Sequence, residues 1–294
     1  MFPGRNTQKA SARYNDEIHH DSDLYSELHH SGEIINILWT GGWDSTYRIL
    51  ELVLIEHQTV RPYYVIDPKR KSIALEIIAM TLIRNAIKKT SPIHAAHLLP
   101  LEIIHREVIP VDEEISGWFQ QLSSKTHIGS QYEWLARFAK HNTNELELCV
   151  DYTWDTPEND ELYDFYIYPI LQGKGHDCRI EGPFPEPAIQ LFAYFRFPTI
   201  YRTKADMRII AEKQGFVDIM KLTWFCHKPR NGLPCGQCRP CKLAPASGLE
   251  YTFYQPTIFD TIFQWIQKRR AWMSRKLRNH RRGHLDIPTQ KAGK

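Results

Sequence analysis

From residue 33 onward, short apolar runs alternate with amphipathic stretches. Residues 34–39 are an apolar run ending in Thr40-Gly41-Gly42, and residues 45–54 follow with helical spacing; the pattern predicts strand, glycine turn, helix. Residues 60–66 predict a second strand, closed by Asp67-Pro68. The stripe Ile73, Ile77, Met80, Ile83, Ile87 has helical periodicity and predicts a helix with one buried face. A third strand is expected over 101–107, helices over 112–122 and 129–140, and a short buried strand over 146–150. A short helix over 187–195, a strand over 198–201 and a helix over 204–213, stopped by Gly215, complete the series. Strands alternating with helices predict an α/β fold, a doubly wound and mostly parallel sheet covered on both faces.

Residues 1–32 break this rhythm and are expected to form a flexible polar arm. Its His pairs, at 19–20 and 29–30, read as composition, because adjacent residues do not share a helix face. The expected organisation is the arm at 1–32, an α/β domain at 33–222, a cysteine-rich knuckle at 223–246, and a C-terminal helix with a basic tail at 247–294.

Composition narrows the class. At 42% hydrophobic and 24% charged, the 294 residues match an ordinary globular chain and exclude wholesale disorder. No run reaches the roughly 18 apolar residues of a membrane span, and the first residues lack the apolar core of a secretory signal. Six cysteines are too few for a disulfide scaffold, so the reducing cytoplasm is the expected compartment. The formal charge of +3 conceals an asymmetry: residues 264–294 carry +9 and the rest −6. Eight Lys/Arg within 268–282, interleaved with Trp272, Met273 and Leu277, suit a nucleic acid or an acidic protein, and equally a solvated helix end.

The first chemical signal is Thr40-Gly41-Gly42-Trp43-Asp44-Ser45-Thr46. Glycines allow a backbone to approach an anion closely, and the helix that follows presents its positive end to phosphate. The pattern is neither Walker A nor G-x-G-x-x-G. It is similar to the Ser-Gly-Gly-x-Asp-Ser loop of the PP-loop ATP pyrophosphatases, with Thr40 in place of the first serine.

The second signal is C-x8-C-x2-C-x2-C, formed by Cys226, Cys235, Cys238 and Cys241. Four thiolates at this spacing suit a tetrahedral Zn²⁺ in a closed, structural shell. Lys228, Arg230, Arg239 and Lys242 flank the motif and offset the net −2 of such a centre.

Together, the loop near the start and the cysteines near the end resemble the 7-cyano-7-deazaguanine synthase family, over roughly residues 34–245. Lys204-Ala205-Asp206 is similar to that family's Lys-Ala-Glu stretch. The resemblance implies ATP, Mg²⁺ and Zn²⁺ as cofactors, a cytoplasmic homodimer, and adenylation of a deazapurine carboxylate followed by attack of ammonia, giving amide or nitrile. It also implies that Thr40, Gly41, Gly42, Ser45 and Thr46 hold the pyrophosphate, that Asp44 orients the loop or holds Mg²⁺, and that Lys204 neutralises phosphate. The family's Pro-Gly-Arg-Asn segment is absent, replaced by residues 128–134, and the arm and tail are additions. These departures resemble the divergent branch associated with antiviral gene clusters, which implies an acceptor other than ammonia, such as an amine on a protein. A PP-loop enzyme acting on RNA (a thiolase or amidine ligase) and a non-catalytic zinc-stabilised binding module are the competing expectations. Asp67, Asp151 and Asp155 fall at or after strand ends and read as turn or capping residues, so no general base is assigned.

Overall fold

The first apolar run forms β1 (Ile35–Leu38), and α1 (Trp43–Leu50) starts after a four-residue loop. A π-helical stretch, Glu51–Ile55, prolongs α1. The elements β2 (Val60–Ile66), α2 (Ile73–Thr90), α3 (Pro92–Ala95), β3 (Glu102–His105), α4 (Glu113–Lys125), α5 (Gln131–Asn142) and β4 (Leu146–Glu147) follow. The chain then forms β5 (Leu171–Gln172), β6 (Arg179–Ile180), β7 (Phe195–Arg196), α6 (Lys204–Lys213), α7 (Val217–Met220) and α8 (Arg239–Leu243). This computed structural model describes residues 33–143, 145–150 and 162–247, together with Arg269 and Met273. The chain divides into two compact units, Met1–Tyr251 and Thr252–Lys294; of the second, Arg269 and Met273 are described, both helical and exposed.

Local chemistry explains the helix boundaries. Asp112 caps α4 by accepting the Ile115 N–H at 3.0 Å, and Thr203 and Asp206 form a reciprocal capping box at the start of α6. Past the end of α6, Gly215 takes φ +79°, the left-handed conformation that ends many helices.

The seven strands form one sheet in the order β3-β2-β1-β4-β7-β6-β5. The first five in that order pair in parallel, while β5 and β6 join antiparallel. The order reverses at β1, which has β2 on one side and β4 on the other. Open sheets of this kind bind ligands beyond the carboxyl ends of the strands at the reversal point.

Both faces of the sheet are covered. Ile37, Trp39, Val60 and Tyr64 pack with Met80, Ile83 and Ile87 of α2 and Met207 and Ala211 of α6. Leu38, Tyr63 and Val65, the alternate residues, pack with Ile115 and Leu122 of α4, Phe138 and Ala139 of α5, and Phe192. The α/β class and the mostly parallel sheet agree with the hydrophobic pattern.

Three predicted details change. The strand expected at 146–150 pairs only over Leu146–Glu147; beyond it, the Val150 carbonyl accepts the Thr199 hydroxyl at 2.9 Å. Residues 198–201 form turns, because Pro198 has no N–H and Arg202 N–H bonds back to the Thr199 carbonyl. The strand lies earlier, at Phe195–Arg196, so the helix expected over 187–195 is a 3-10 helix ending at Phe192. The arm, most of the C-terminal helix and the basic tail lie outside the described residues. Among the described residues, no helix is long and apolar enough to cross a membrane.

Candidate functional site

The glycine loop sits at the carboxyl end of β1, at the reversal point of the sheet. Gly41 takes φ +68°, and a Cβ there would lie 3.1 Å from both the Glu76 carbonyl oxygen and Met80 Cγ. Only glycine meets both demands. Gly42 is the N-cap of α1, with φ −77° and no side-chain cap, so the positive end of the helix opens towards the mouth of the loop. Inside the loop, Trp39 Nε1 donates to Thr46 Oγ1 at 3.0 Å. The Thr46 side chain is fully buried, so its hydroxyl holds the turn from within. Ser45 is buried at the helix start.

Lys204 reaches the loop from the other end of the sequence. The capping box fixes the first turn of α6, and Lys204 Nζ lies 2.7 Å from Asp44 Oδ1. The structure thus gathers Thr40, Gly41, Gly42, Asp44, Ser45 and Lys204 at one end of the sheet. Asp67 acts as a turn residue: its carboxylate accepts the Lys69 N–H at 3.2 Å and pairs with Arg106 at 3.3 Å. Asp151 and Asp155 lie outside the described residues.

The four cysteines converge as their spacing predicts. The Sγ atoms of Cys235 and Cys241 are 3.9 Å apart, those of Cys226 and Cys238 3.9 Å, and those of Cys238 and Cys241 3.4 Å. A tetrahedron with metal–sulfur bonds of about 2.3 Å has edges of about 3.8 Å, whereas a disulfide needs about 2.05 Å. The cluster therefore fits a thiophilic metal such as zinc and excludes disulfide pairing within it. Backbone N–H groups already point at sulfur: Cys235 to Cys226 Sγ at 3.2 Å, and Cys238 and Gln237 to Cys235 Sγ at 3.3 and 3.4 Å. Burial pushes the Cys226 and Cys241 thiols up. Burial also opposes ionisation of Cys235, but the N–H groups of Gln237 and Cys238 bring its thiol down to about 7. Cys149 and Cys178 stand apart from the cluster, and burial raises both thiols.

A second polar assembly, which sequence reasoning missed, lies at the far end of α1. Arg48 bonds Glu147 through Nε and Nη2, and its Nη1 lies 3.0 Å from Glu51 and 2.8 Å from Glu56. Arg202 and Tyr47 also bond Glu51, and His176 Nε2 stands 3.5 and 3.4 Å from Glu51 and Glu56. Burial works against the Glu51 carboxylate, yet Arg202, His176 and Arg48 hold it below its ordinary value. Glu51, Glu56 and His176 have the makings of a metal triad. However, the Arg48 guanidinium already supplies the cation between the two carboxylates, so the assembly is an ion-pair network. It adjoins a cavity of about 220 Å³ lined in part by Asn36, Arg48, Glu147, His176 and Arg196. Charges on a helix read as solvent-facing in a sequence, and Glu147, His176 and Arg202, brought from distant elements, make these internal.

No protein-family model, curated protein or solved structure matches this chain. The fold and the site define an α/β protein with a seven-stranded, mostly parallel sheet, a glycine loop at its reversal point, and a four-cysteine cluster whose geometry could hold a metal.

Proposed function

We propose that this chain is an ATP-dependent carbon–nitrogen ligase of the PP-loop type, built on a Rossmann-like sheet, with Zn²⁺ held by Cys226, Cys235, Cys238 and Cys241. Its substrate is a deazapurine carboxylate such as 7-carboxy-7-deazaguanine. The observation that carries the reading is the convergence at the reversal point: Gly41 and Gly42 lead from β1 into α1, and Lys204 stands 2.7 Å from Asp44 at the same mouth. A glycine turn alone needs no such cation, whereas a triphosphate does.

In this reading, the backbone of Thr40, Gly41 and Gly42 and the start of α1 at Ser45 surround the pyrophosphate, while Thr46 keeps the turn closed. Lys204 offsets phosphate charge, and Asp44 offers the hard oxygen that Mg²⁺ prefers. A carboxylate oxygen attacks the α-phosphorus, and pyrophosphate leaves. A nitrogen nucleophile then attacks the acyl carbon, loses a proton and expels AMP. The chain's contribution is positioning and electrostatics. A closed four-thiolate shell leaves no open position, so the metal's role is structural.

The test is product analysis with ATP, 7-carboxy-7-deazaguanine and ammonia. AMP and pyrophosphate formed only in the presence of the acid support the reading; ADP and orthophosphate overturn it. For the metal, Cys238→Ser should lower zinc below one equivalent per chain and yield a heat-labile protein, because metal binding in such knuckles is folding free energy.

A second reading has the activated acid passed to an amine on a protein or nucleic acid, and the +9 charge of residues 264–294 favours it. Deleting residues 268–294 would then suppress transfer to the macromolecule but spare pyrophosphate release, and the transfer would weaken with salt.

A further inference from the structure

Trp224 is bonded to the glycine loop on one side and to the cysteine cluster on the other. Its backbone N–H donates to the Gly41 carbonyl at 2.8 Å. Its indole Nε1 donates to the Cys226 carbonyl, also at 2.8 Å. Its own carbonyl oxygen stands 3.7 Å from the point where a Cβ on Gly42 would sit, so the segment lies along both glycines. Cys226, two residues on, has its sulfur 3.2 Å from the Cys235 amide and 3.9 Å from Cys238 Sγ.

Physical chemistry makes this link consequential. Consecutive glycines have the widest backbone freedom of any pair, and the loop form uses a positive φ at Gly41 that must be held in place. The Gly41 carbonyl precedes α1, where Gly42 makes the first helical bond to Thr46 N–H, so Gly41 gains nothing from the ladder. Its partner is a residue in neither strand nor helix. That residue is itself fixed through the Cys226 carbonyl and ring contact with Phe225 at 6.3 Å. Without a metal, weak attraction between thiols 3.4–3.9 Å apart and one N–H···S bond from Cys235 are what the cluster offers to hold Cys226.

We infer that Trp224 is a positioning residue that couples metal occupancy of the four-cysteine cluster to the conformation of the Gly41-Gly42 loop. The loop keeps its anion-receiving form while the cluster is loaded and relaxes when it is emptied. The metal thus governs the phosphate site without touching it. The functional consequence rests on the ATP-binding reading above, but the coupling itself does not.

The experiment is hydrogen–deuterium exchange on the full, zinc-loaded chain, following the segment 39–46 with the segment 73–90 as internal control. Trp224→Phe keeps an aromatic ring, the backbone N–H and all four cysteines, and removes the indole donor together with part of the ring system. The expected result is at least tenfold faster exchange over 39–46 in Trp224→Phe, with zinc still at one per chain and 73–90 unchanged. A parallel tenfold loss in affinity for inorganic pyrophosphate should appear in calorimetry. Unchanged exchange over 39–46 in the zinc-loaded variant overturns the inference. So does chelation of wild type that empties the cluster and leaves 39–46 protected. If wild type fails to bind pyrophosphate while the exchange effect stands, the anion-site reading falls and the coupling survives.

Discussion

Asp44 and Lys204 meet as an ion pair at 2.7 Å although 160 residues separate them in sequence. Each side chain is about a quarter exposed, 24% for Asp44 and 27% for Lys204, so the contact is wet enough to exchange partners. A pair of this kind contributes roughly 0–1 kcal/mol to stability. Its placement at the head of α1 puts a cation beside the glycine loop, where the proposed reading gives it phosphate to bind.

Lys204→Ala should therefore lower acid-dependent pyrophosphate release by roughly 100-fold or more, the scale seen when one preorganised charge-stabilising donor is removed. The melting temperature should move by no more than a few degrees. Pyrophosphate assay and thermal melts on the same preparations check this. Full activity in the variant would remove Lys204 from the site.

The two loop glycines should respond differently. Gly41→Ala forces a left-handed φ of +68° on an L-residue and places Cβ 3.1 Å from the Glu76 carbonyl, a backbone atom that cannot step aside. The strain is of the order of 1–3 kcal/mol, enough to lower the melting temperature visibly. Gly42 has φ −77°, and the closest atom to its hypothetical Cβ is the Thr40 hydroxyl at 3.3 Å. Gly42→Ala should keep the stability and lose mainly pyrophosphate affinity. Equal melting temperatures for the two variants would contradict this assignment.

Much of this arrangement was legible in the sequence. The Ile73 to Ile87 stripe, the strand ending at Asp67 and the cysteine spacing each carry their own periodicity or chemistry, and each lies where it was expected. The pair β5 and β6 was illegible, since two residues per strand cannot display a period. Residues 198–201 misled because Pro-Thr-Ile-Tyr has strand composition and its Ile200 is buried in the core, yet Pro198 has no N–H and the Arg202 N–H closes a turn on the Thr199 carbonyl. The role of Thr46 was only partly legible: its place in the loop motif suggested a phosphate contact, and nothing local announced that Trp39 claims its hydroxyl. Lys204 was legible as a charge at a helix start to which the family resemblance gave a phosphate role, and the Asp44 partner it meets is a product of the fold.

The ion-pair network around Arg48 gives an asymmetric stability prediction. Arg48→Met leaves Glu51 and Glu147, both nearly fully buried, without their shared guanidinium, at a cost of about 3–5 kcal/mol. Glu147→Gln keeps an acceptor for Arg48, which retains Glu51 and Glu56, and should cost markedly less. Urea melts of both variants decide it; equal losses would show that Arg48 does not unite the network.

Acid should weaken the α4 cap. The Lys140 ammonium at 2.8 Å, reinforced by the Ile115 N–H, holds the Asp112 carboxyl below its ordinary value of 3.8. A depressed carboxylate contributes stability that is present above the ordinary value and lost as pH falls through the lower folded one. Asp112→Asn keeps a capping oxygen but removes the charge. It should be less stable than wild type near neutrality and converge on it as pH falls below the ordinary carboxyl value of 3.8. Parallel acid limbs for the two proteins would count against the ion pair.

The bond from Trp224 to Gly41 also sets an order of events in synthesis. The two partners lie roughly 180 residues apart, so at about 5–20 residues per second the loop waits roughly 10–40 s for the segment that closes it. Until then a nascent chain displays β1, α1 and β2 with a slack glycine turn. The held loop is thus among the last features to mature, and a ribosome-bound or truncated product ending before residue 224 carries the loop sequence without the Trp224 bond to Gly41. On the reading proposed above, the chain acquires its anion site only once nearly all of the sheet and the segment beyond it have been made.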